Sequence, residues 1–259
     1  MLVAQGHRWR RAALVSVHPG NILFLLKHSA TRFPLLEDFS YNSGTNITFL
    51  PAPFLEYHPP LQKLELSVLL KSDADAIASQ SLKVLKIHRY CGGSLARLLH
   101  LCPCLEFLTL QSLDFREGSD DNLITCQSSL LALDIGGDLD NDRKVEHGAW
   151  TYVTLPKLTK LDVTLPDLVD IERWPEAAFE AGTSLSELKM VVKRSECPLQ
   201  RVNLIVYAGY YNMEGKPELE VVEEFLEDFP VKAERCFVQD VPLQEWKAEI
   251  LATVSDSSA

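Results

Sequence analysis

A six-residue phrase recurs along the chain: a leucine, two variable residues, an apolar residue, one variable residue and a second apolar residue. It reads Leu61-Gln62-Lys63-Leu64-Glu65-Leu66, Leu82-Lys83-Val84-Leu85-Lys86-Ile87 and Leu105-Glu106-Phe107-Leu108-Thr109-Leu110. It returns as Leu130-Leu131-Ala132-Leu133-Asp134-Ile135 and Leu158-Thr159-Lys160-Leu161-Asp162-Val163, with a looser first copy in Leu36-Glu37-Asp38-Phe39-Ser40-Tyr41. Later copies begin at Leu185 and Leu199. Alternate side chains of an extended strand face opposite ways, so each copy predicts a short strand with one apolar face. In Leu105–Leu110, Leu108 and Leu110 point one way, Phe107 and Thr109 the other. One such strand cannot bury its leucines alone, whereas strands stacked side by side in parallel can. Leu185 and Leu199 are only 14 residues apart, too close for two strands of this kind. Leu185, Leu188, Val191 and Val192 also have helical spacing, which predicts a helix over about 185–195 and a strand from Leu199. Seven strands result, with a long gap after Leu158.

The other lead leucines stand 21 to 28 residues apart, within the window of roughly 20–29 residues that marks leucine-rich repeats. The expected fold is therefore α/β: a leucine-rich-repeat solenoid, or horseshoe, with a parallel concave sheet and helical or irregular convex segments. Pro34, Pro60, Pro103, Pro156 and Pro198 precede copies of the phrase, where proline ends the return segment and favours extended backbone. Ser94 is placed to cap a helix whose Leu95, Leu98, Leu99 and Cys102 share a face. Pro175 suits the first turn of a helix through Ala177, Ala178 and Phe179. Residues 42–60, rich in proline, threonine and asparagine, read as irregular. Residues 1–32, with Ile22, Leu23, Leu25 and Leu26, form the expected N-terminal helical cap, and 33–206 the repeats. Residues 207–259 form the C-terminal cap. In it an acidic helix over 217–229 carries Leu219, Val222, Phe225, Leu226 and Phe229 on one side, and Ser255 to Ala259 is a frayed tail.

The 259 residues are 46% apolar and carry a formal net charge of −11. Such acidity opposes a general nucleic-acid binder, which needs a basic face to displace counterions, and it opposes an anionic membrane surface. No run reaches the roughly 18 apolar residues of a membrane span, and Met1–Leu14 lacks the apolar core of a secretory signal. The six scattered cysteines are then expected to be reduced, in cytosol or nucleus, and the glycosylation acceptor Asn46-Ile47-Thr48 to be idle.

Several segments resemble one family. His7-Arg8-Trp9-Arg10-Arg11-Ala12-Ala13-Leu14 is similar to the closing helix of an F-box in fungal F-box/leucine-rich-repeat proteins. Leu50 to Leu66 resembles a recurrent first full repeat of those proteins. Leu98 to Leu110 and Arg194 to Gln200 resemble their helix-Cys-Pro-strand unit. The resemblance implies an F-box that docks on the Skp-type adaptor of a cullin ubiquitin ligase, with Arg8, Trp9 and Arg10 in the adaptor contact, and a repeat domain that captures substrate. It also implies that only the last helix of the box lies within the chain.

Candidate chemistry is sparse. His88, Cys91, His100, Cys102 and Cys104 match no paired zinc-ligand spacing; Cys102 and Cys197, each before a proline, read better as small packing residues. Asp138 to Asp142 resembles the start of a calcium loop, but the sixth and twelfth places hold Arg143 and Ala149 instead of glycine and glutamate. No Walker loop or nucleophile elbow occurs, so no catalytic residue, metal or cofactor is expected. If an enzyme were hidden on the array, Asp114 to Asp142 would be its place. What remains is the sheet's concave face. Period two turns Lys63, Glu65, Lys86, His88, Phe107, Thr109, Gln111, Asp134, Lys160 and Asp162 outward on it, beside Asp38, Ser40, Ser67, Val84, Thr164, Arg201 and Asn203. Phe107 is either an aromatic anchor for a partner or packed on a neighbouring strand. The expected function is protein recognition without catalysis: substrate capture in an F-box-type ligase, or alternatively a scaffold with no ubiquitin role.

Overall fold

The computed structural model describes residues 7–15, 33–42, 60–70, 77–91, 95–111, 125–136, 152–164, 188–205, 222–223, 226 and 231–257. Its frame is one ten-stranded sheet. The strands are β1 (Arg11–Val15), β2 (Asp38–Asn42), β3 (Lys63–Leu70), β4 (Val84–Cys91), β5 (Phe107–Leu110), β7 (Ala132–Ile135), β9 (Lys160–Thr164), β10 (Arg201–Ile205), β11 (Cys236–Val238) and β12 (Val241–Pro242). They lie side by side in that order, every neighbouring pair parallel except the final β11–β12 hairpin. Two further strands, β6 (Thr125–Cys126) and β8 (Val153–Thr154), pair with each other in a separate parallel ribbon. Helices run over Leu95–Leu101 (α1), 188–195 (α2) and Leu243–Ser257 (α3).

All seven expected strands are present, and the phrase explains their packing. Its first, fourth and sixth positions are buried in all seven copies that form strands, from Leu36, Phe39 and Tyr41 to Leu199, Val202 and Leu204, none more than 7% exposed. They join one hydrophobic core. Fully burying each such side chain is worth roughly 1.5–3 kcal/mol, so this core dominates the stability of the sheet. The second position has a backbone duty. The carbonyl of Glu37 accepts the N–H groups of Gln62 and Lys63; that of Gln62 accepts Lys83 and Val84; that of Lys83 accepts Glu106 and Phe107. The same forked bond recurs at Glu106, Leu131 and Thr159.

The return segments form a second layer stitched in the same order. Ser79 N–H donates to Leu101 O, Thr125 Oγ1 to Ala96 O (3.1 Å) and Gln127 Nε2 to Cys102 O (2.8 Å). Thr125 and Gln127 N–H then donate to Tyr152 O and Thr154 O, and Leu155 N–H donates to Ser195 Oγ (2.8 Å). Leu188, Val191 and Val192 are buried in α2, as their helical spacing predicts. The helix expected from Leu95 is α1; its proposed cap Ser94, the Pro175 helix, residues 43–59 and Asp138–Asp142 lie outside the described residues.

Both ends depart from expectation. The N-terminal cap over 1–32 was expected to be helical, yet Arg11–Val15 is strand β1, paired with Asp38–Asn42. Arg10 O accepts the N–H groups of Glu37 and Asp38, the same fork as above. Register therefore puts Trp9-Arg10-Arg11-Ala12-Ala13-Leu14 on the six positions of the phrase, with Ala12 opposite Phe39 and Leu14 opposite Tyr41. The Trp9 ring takes the lead position, 5.6 Å from the Phe33 ring. Alanine and arginine are good helix formers, but helix propensity is a weak bias per residue, and a waiting strand edge with open hydrogen-bonding groups outweighs it. At the other end β11 and β12 continue the sheet beyond the expected boundary at 206, and α3 carries helix through Ser257, past the expected fraying at Ser255. Of the acidic helix over 217–229, the described residues Val222, Glu223 and Leu226 are helical, with Val222 buried and Glu223 exposed.

Candidate binding face of the sheet

The third and fifth phrase positions, freed from the core, line up across the strands. One row runs Arg11, Asp38, Lys63, Val84, Phe107, Ala132, Lys160, Arg201. The next runs Ala13, Ser40, Glu65, Lys86, Thr109, Asp134, Asp162, Asn203. All ten expected partner-binding residues lie on this one face, half-buried or exposed. Phe107 is 44% exposed, between Val84 and the small Ala132.

The face divides electrically. Towards β1, charges are matched: Lys63 Nζ lies 3.9 Å from Asp38, and Glu65 meets both Lys86 (3.3 Å) and His88 Nε2 (3.2 Å). Burial pushes the Glu65 carboxyl up, but the hydrogen bonds and charges of Lys86 and His88 outweigh it and hold it below its usual value. The other ring nitrogen of His88 bonds Gln111 Oε1. Towards β9, Asp134 and Asp162 stand opposite each other on paired strands. Lys160 Nζ donates to Asp162 Oδ2 at 2.5 Å, while Asp162 Oδ1 is buried without a hydrogen-bond partner among the described residues. The Asp134 carboxyl is pushed above its usual value, first by burial and then by the Asp162 charge; a bond from Thr109 and the more distant Lys160 and Lys86 only partly offset this. The pair thus holds two carboxylates against one close cation.

The period-two reading needs correction at three places. In β3 and β4 two half-buried residues follow in succession, Ser67-Val68 and His88-Arg89, before Leu69 and Tyr90 turn inward. The slip occurs in both strands together, so pairing resumes at Val68–Arg89. Thr164 is buried at the end of β9. Asn203 is also buried, because the β11–β12 turn covers it and the Asp240 N–H donates to its Oδ1 at 3.0 Å. The same hairpin occupies Arg201, which pairs with Asp240 and lies 4.2 Å over the Phe237 ring. Gln239 and Asp240 both have positive φ, the geometry of a two-residue hairpin turn, at residues that are not the glycine or asparagine by which such turns are read. That missing signal hid the hairpin from the sequence.

Of the proposed adaptor contact, Arg8 and Arg10 are exposed, Arg10 3.8 Å from Glu37, while Trp9 is half-buried in packing. Among the described residues no group of three or more His, Cys, Asp or Glu side chains could hold a metal ion. Cys102 is buried with its Sγ donating to Ile77 O (3.6 Å), and burial pushes its thiol up to about 12. Cys197 Sγ likewise donates to Val192 O (3.7 Å), so both thiols sit in the turns that their position before proline predicts. All six cysteines are free. Among the described residues no helix is long and apolar enough to cross a membrane. Comparison of the chain with protein-family models, with curated proteins and with solved structures finds no match.

Proposed function

We propose that the chain is a leucine-rich-repeat solenoid that recognises a protein partner on the outward face of its sheet and performs no chemistry itself. One observation carries this reading: the same forked backbone bond and the same three buried positions recur along the seven phrase strands, leaving the third and fifth positions of β2 to β9 outside the core. Strands spaced about 4.8 Å apart, backed by helices that need about 8–10 Å, favour a curve with the sheet on its concave side. A concave row with an exposed phenylalanine among paired charges suits a folded partner better than a small metabolite. On this reading the chain lies in a reducing compartment, cytosol or nucleus.

The test is a photo-crosslinking residue introduced at position 107 or 109 on the sheet, or at 193 on the outside of α2, in cells of the source. Protein adducts are expected from the two sheet positions and not from 193. Equal capture from 193, or none from the sheet, overturns the reading.

The narrower reading, substrate capture in an F-box-type ubiquitin ligase, rests on the Cys-Pro turns and the Leu50–Leu66 likeness. Its Trp-Arg phrase lies at a strand instead of in the helix that an adaptor contact needs, which favours the scaffold reading for this segment. Co-purification with a Skp-type adaptor, for this chain and for one extended upstream, decides between them.

A further inference from the structure

We infer that the part of the face formed by Phe107, Ala132, Asp134 and Asp162 receives an arginine side chain from a protein partner. This rests on the recognition reading above and names the chemistry of its partner. The argument is charge complementarity joined to shape. Elsewhere on the described face carboxylates are answered: Asp38 by Lys63, Glu65 by Lys86 and His88, Asp240 by Arg201. At Asp134 and Asp162 the match is incomplete, with one close cation, Lys160, on Asp162 and two carboxylates facing each other. Two carboxylates on paired strands share Lys160, and Asp162 is only 14% exposed with one oxygen buried and unbonded. Carboxylates crowded in this way repel, and an incoming cation relieves the repulsion.

The surroundings select among cations. Phe107 stands out from the sheet and Ala132 beside it is cut back to its β-carbon, so the row steps down next to the acid pair. A three-carbon arm fits against that step while its charged end reaches the carboxylates one row further on. A guanidinium is planar, donates two parallel hydrogen bonds to a carboxylate and stacks on an aromatic face. A compact, strongly hydrated ammonium does neither as well. The chain's net charge of −11 also draws a basic partner to it.

The experiment selects displayed twelve-residue peptides of random sequence on the full chain. Arginine is expected in the peptides that bind, with affinity falling about 10- to 100-fold when that arginine is replaced by the uncharged isostere citrulline. The same loss is expected in Asp134→Asn and in Asp162→Asn, each checked for native thermal unfolding. Face-binding peptides that lack arginine, or that tolerate citrulline and both asparagine variants, overturn this inference and leave the recognition reading standing. Peptides whose binding ignores Phe107→Ala and both asparagine variants, while Lys193→Ala abolishes it, overturn both.

Discussion

Phe107 and Leu108 are neighbours in sequence and opposites in the fold, and truncating each in turn tests the strand register. Leu108 is 1% exposed, between Leu85 and Leu133 on the flanking strands, whereas Phe107 is 44% exposed. Leu108→Ala removes buried carbons from between two close-packed strands, where Leu→Ala changes cost about 2–5 kcal/mol. Phe107→Ala removes a larger side chain, but one that keeps 44% of its surface in water and lies outside the core, so a smaller loss, under about 1 kcal/mol, is expected. In a chain of this size 1 kcal/mol corresponds to roughly 2–4 °C in melting temperature. Leu108→Ala, at a central value of about 3 kcal/mol, should then lower the transition by about 6–12 °C, and Phe107→Ala by no more than about 4 °C. Circular dichroism during heating, checked against urea titration, reads both. Size alone would rank the two changes the other way. If Phe107→Ala costs as much as Leu108→Ala, the register is wrong and the outward row with it.

Three other changes probe separate contacts. A β-carbon on Gly136 would lie 2.3 Å from the Gln111 carbonyl oxygen and 2.7 Å from its Cα, so Gly136→Ala must push two backbones apart; urea titration should show a loss of about 1–3 kcal/mol, and an unchanged midpoint would contradict that packing. Ser195→Ala leaves the Leu155 N–H without the acceptor it meets at 2.8 Å, joining α2 to the preceding return segment; the expected cost is about 1–3 kcal/mol, with faster amide exchange at Leu155 as its signature. The Asp134 carboxyl is raised in the folded state above its usual 3.8, first by burial and then by Asp162, so its stabilising contribution is complete below that pH and is lost as pH rises through the folded value. Asp134→Asn should accordingly melt higher than the parent at pH 7, with the gap closing towards pH 3; a gap constant with pH would remove the charge repulsion from the explanation.

What the sequence made legible follows a physical divide. Positions one, four and six of the phrase are read from hydrophobicity, and all seven strands came from them, as did α2, where Leu188, Val191 and Val192 share a helical face. β1 escaped because Trp9, Ala12 and Leu14 fill those positions with a tryptophan and an alanine, and because arginine and alanine look helical when the neighbouring strand is not considered. The β11–β12 hairpin escaped because its turn residues carry no glycine or asparagine. The outward row was legible from period two, but the electrical division of the face was not. It depends on which residues register across strands: Glu65 beside Lys86, yet Asp134 beside Asp162. Register pairs like positions of successive copies, so this division follows from aligning the phrases and not from period two within one strand.

That separation of duties gives the outward residues their meaning. Backbone forks fix each strand to the next, and the inward residues supply the burial, so the third and fifth positions are free to hold whatever disturbs the fold least. Lysine beside glutamate meets that condition, as on β3 and β4. A partly buried aspartate facing a second aspartate does not, since its charged form is disfavoured by both burial and repulsion. Neither does a phenylalanine left 44% in water. Local rules are broken in well-folded chains mainly where something other than stability is served. Both departures fall on adjacent strands, in neighbouring rows of one face. The stability cost of the acid pair and its proposed affinity for a guanidinium therefore come from the same unbalanced charge, and Asp134→Asn should raise the melting temperature and weaken arginine-bearing peptides together. A variant that gained stability with no loss of binding would separate the two and deprive the acid pair of its role.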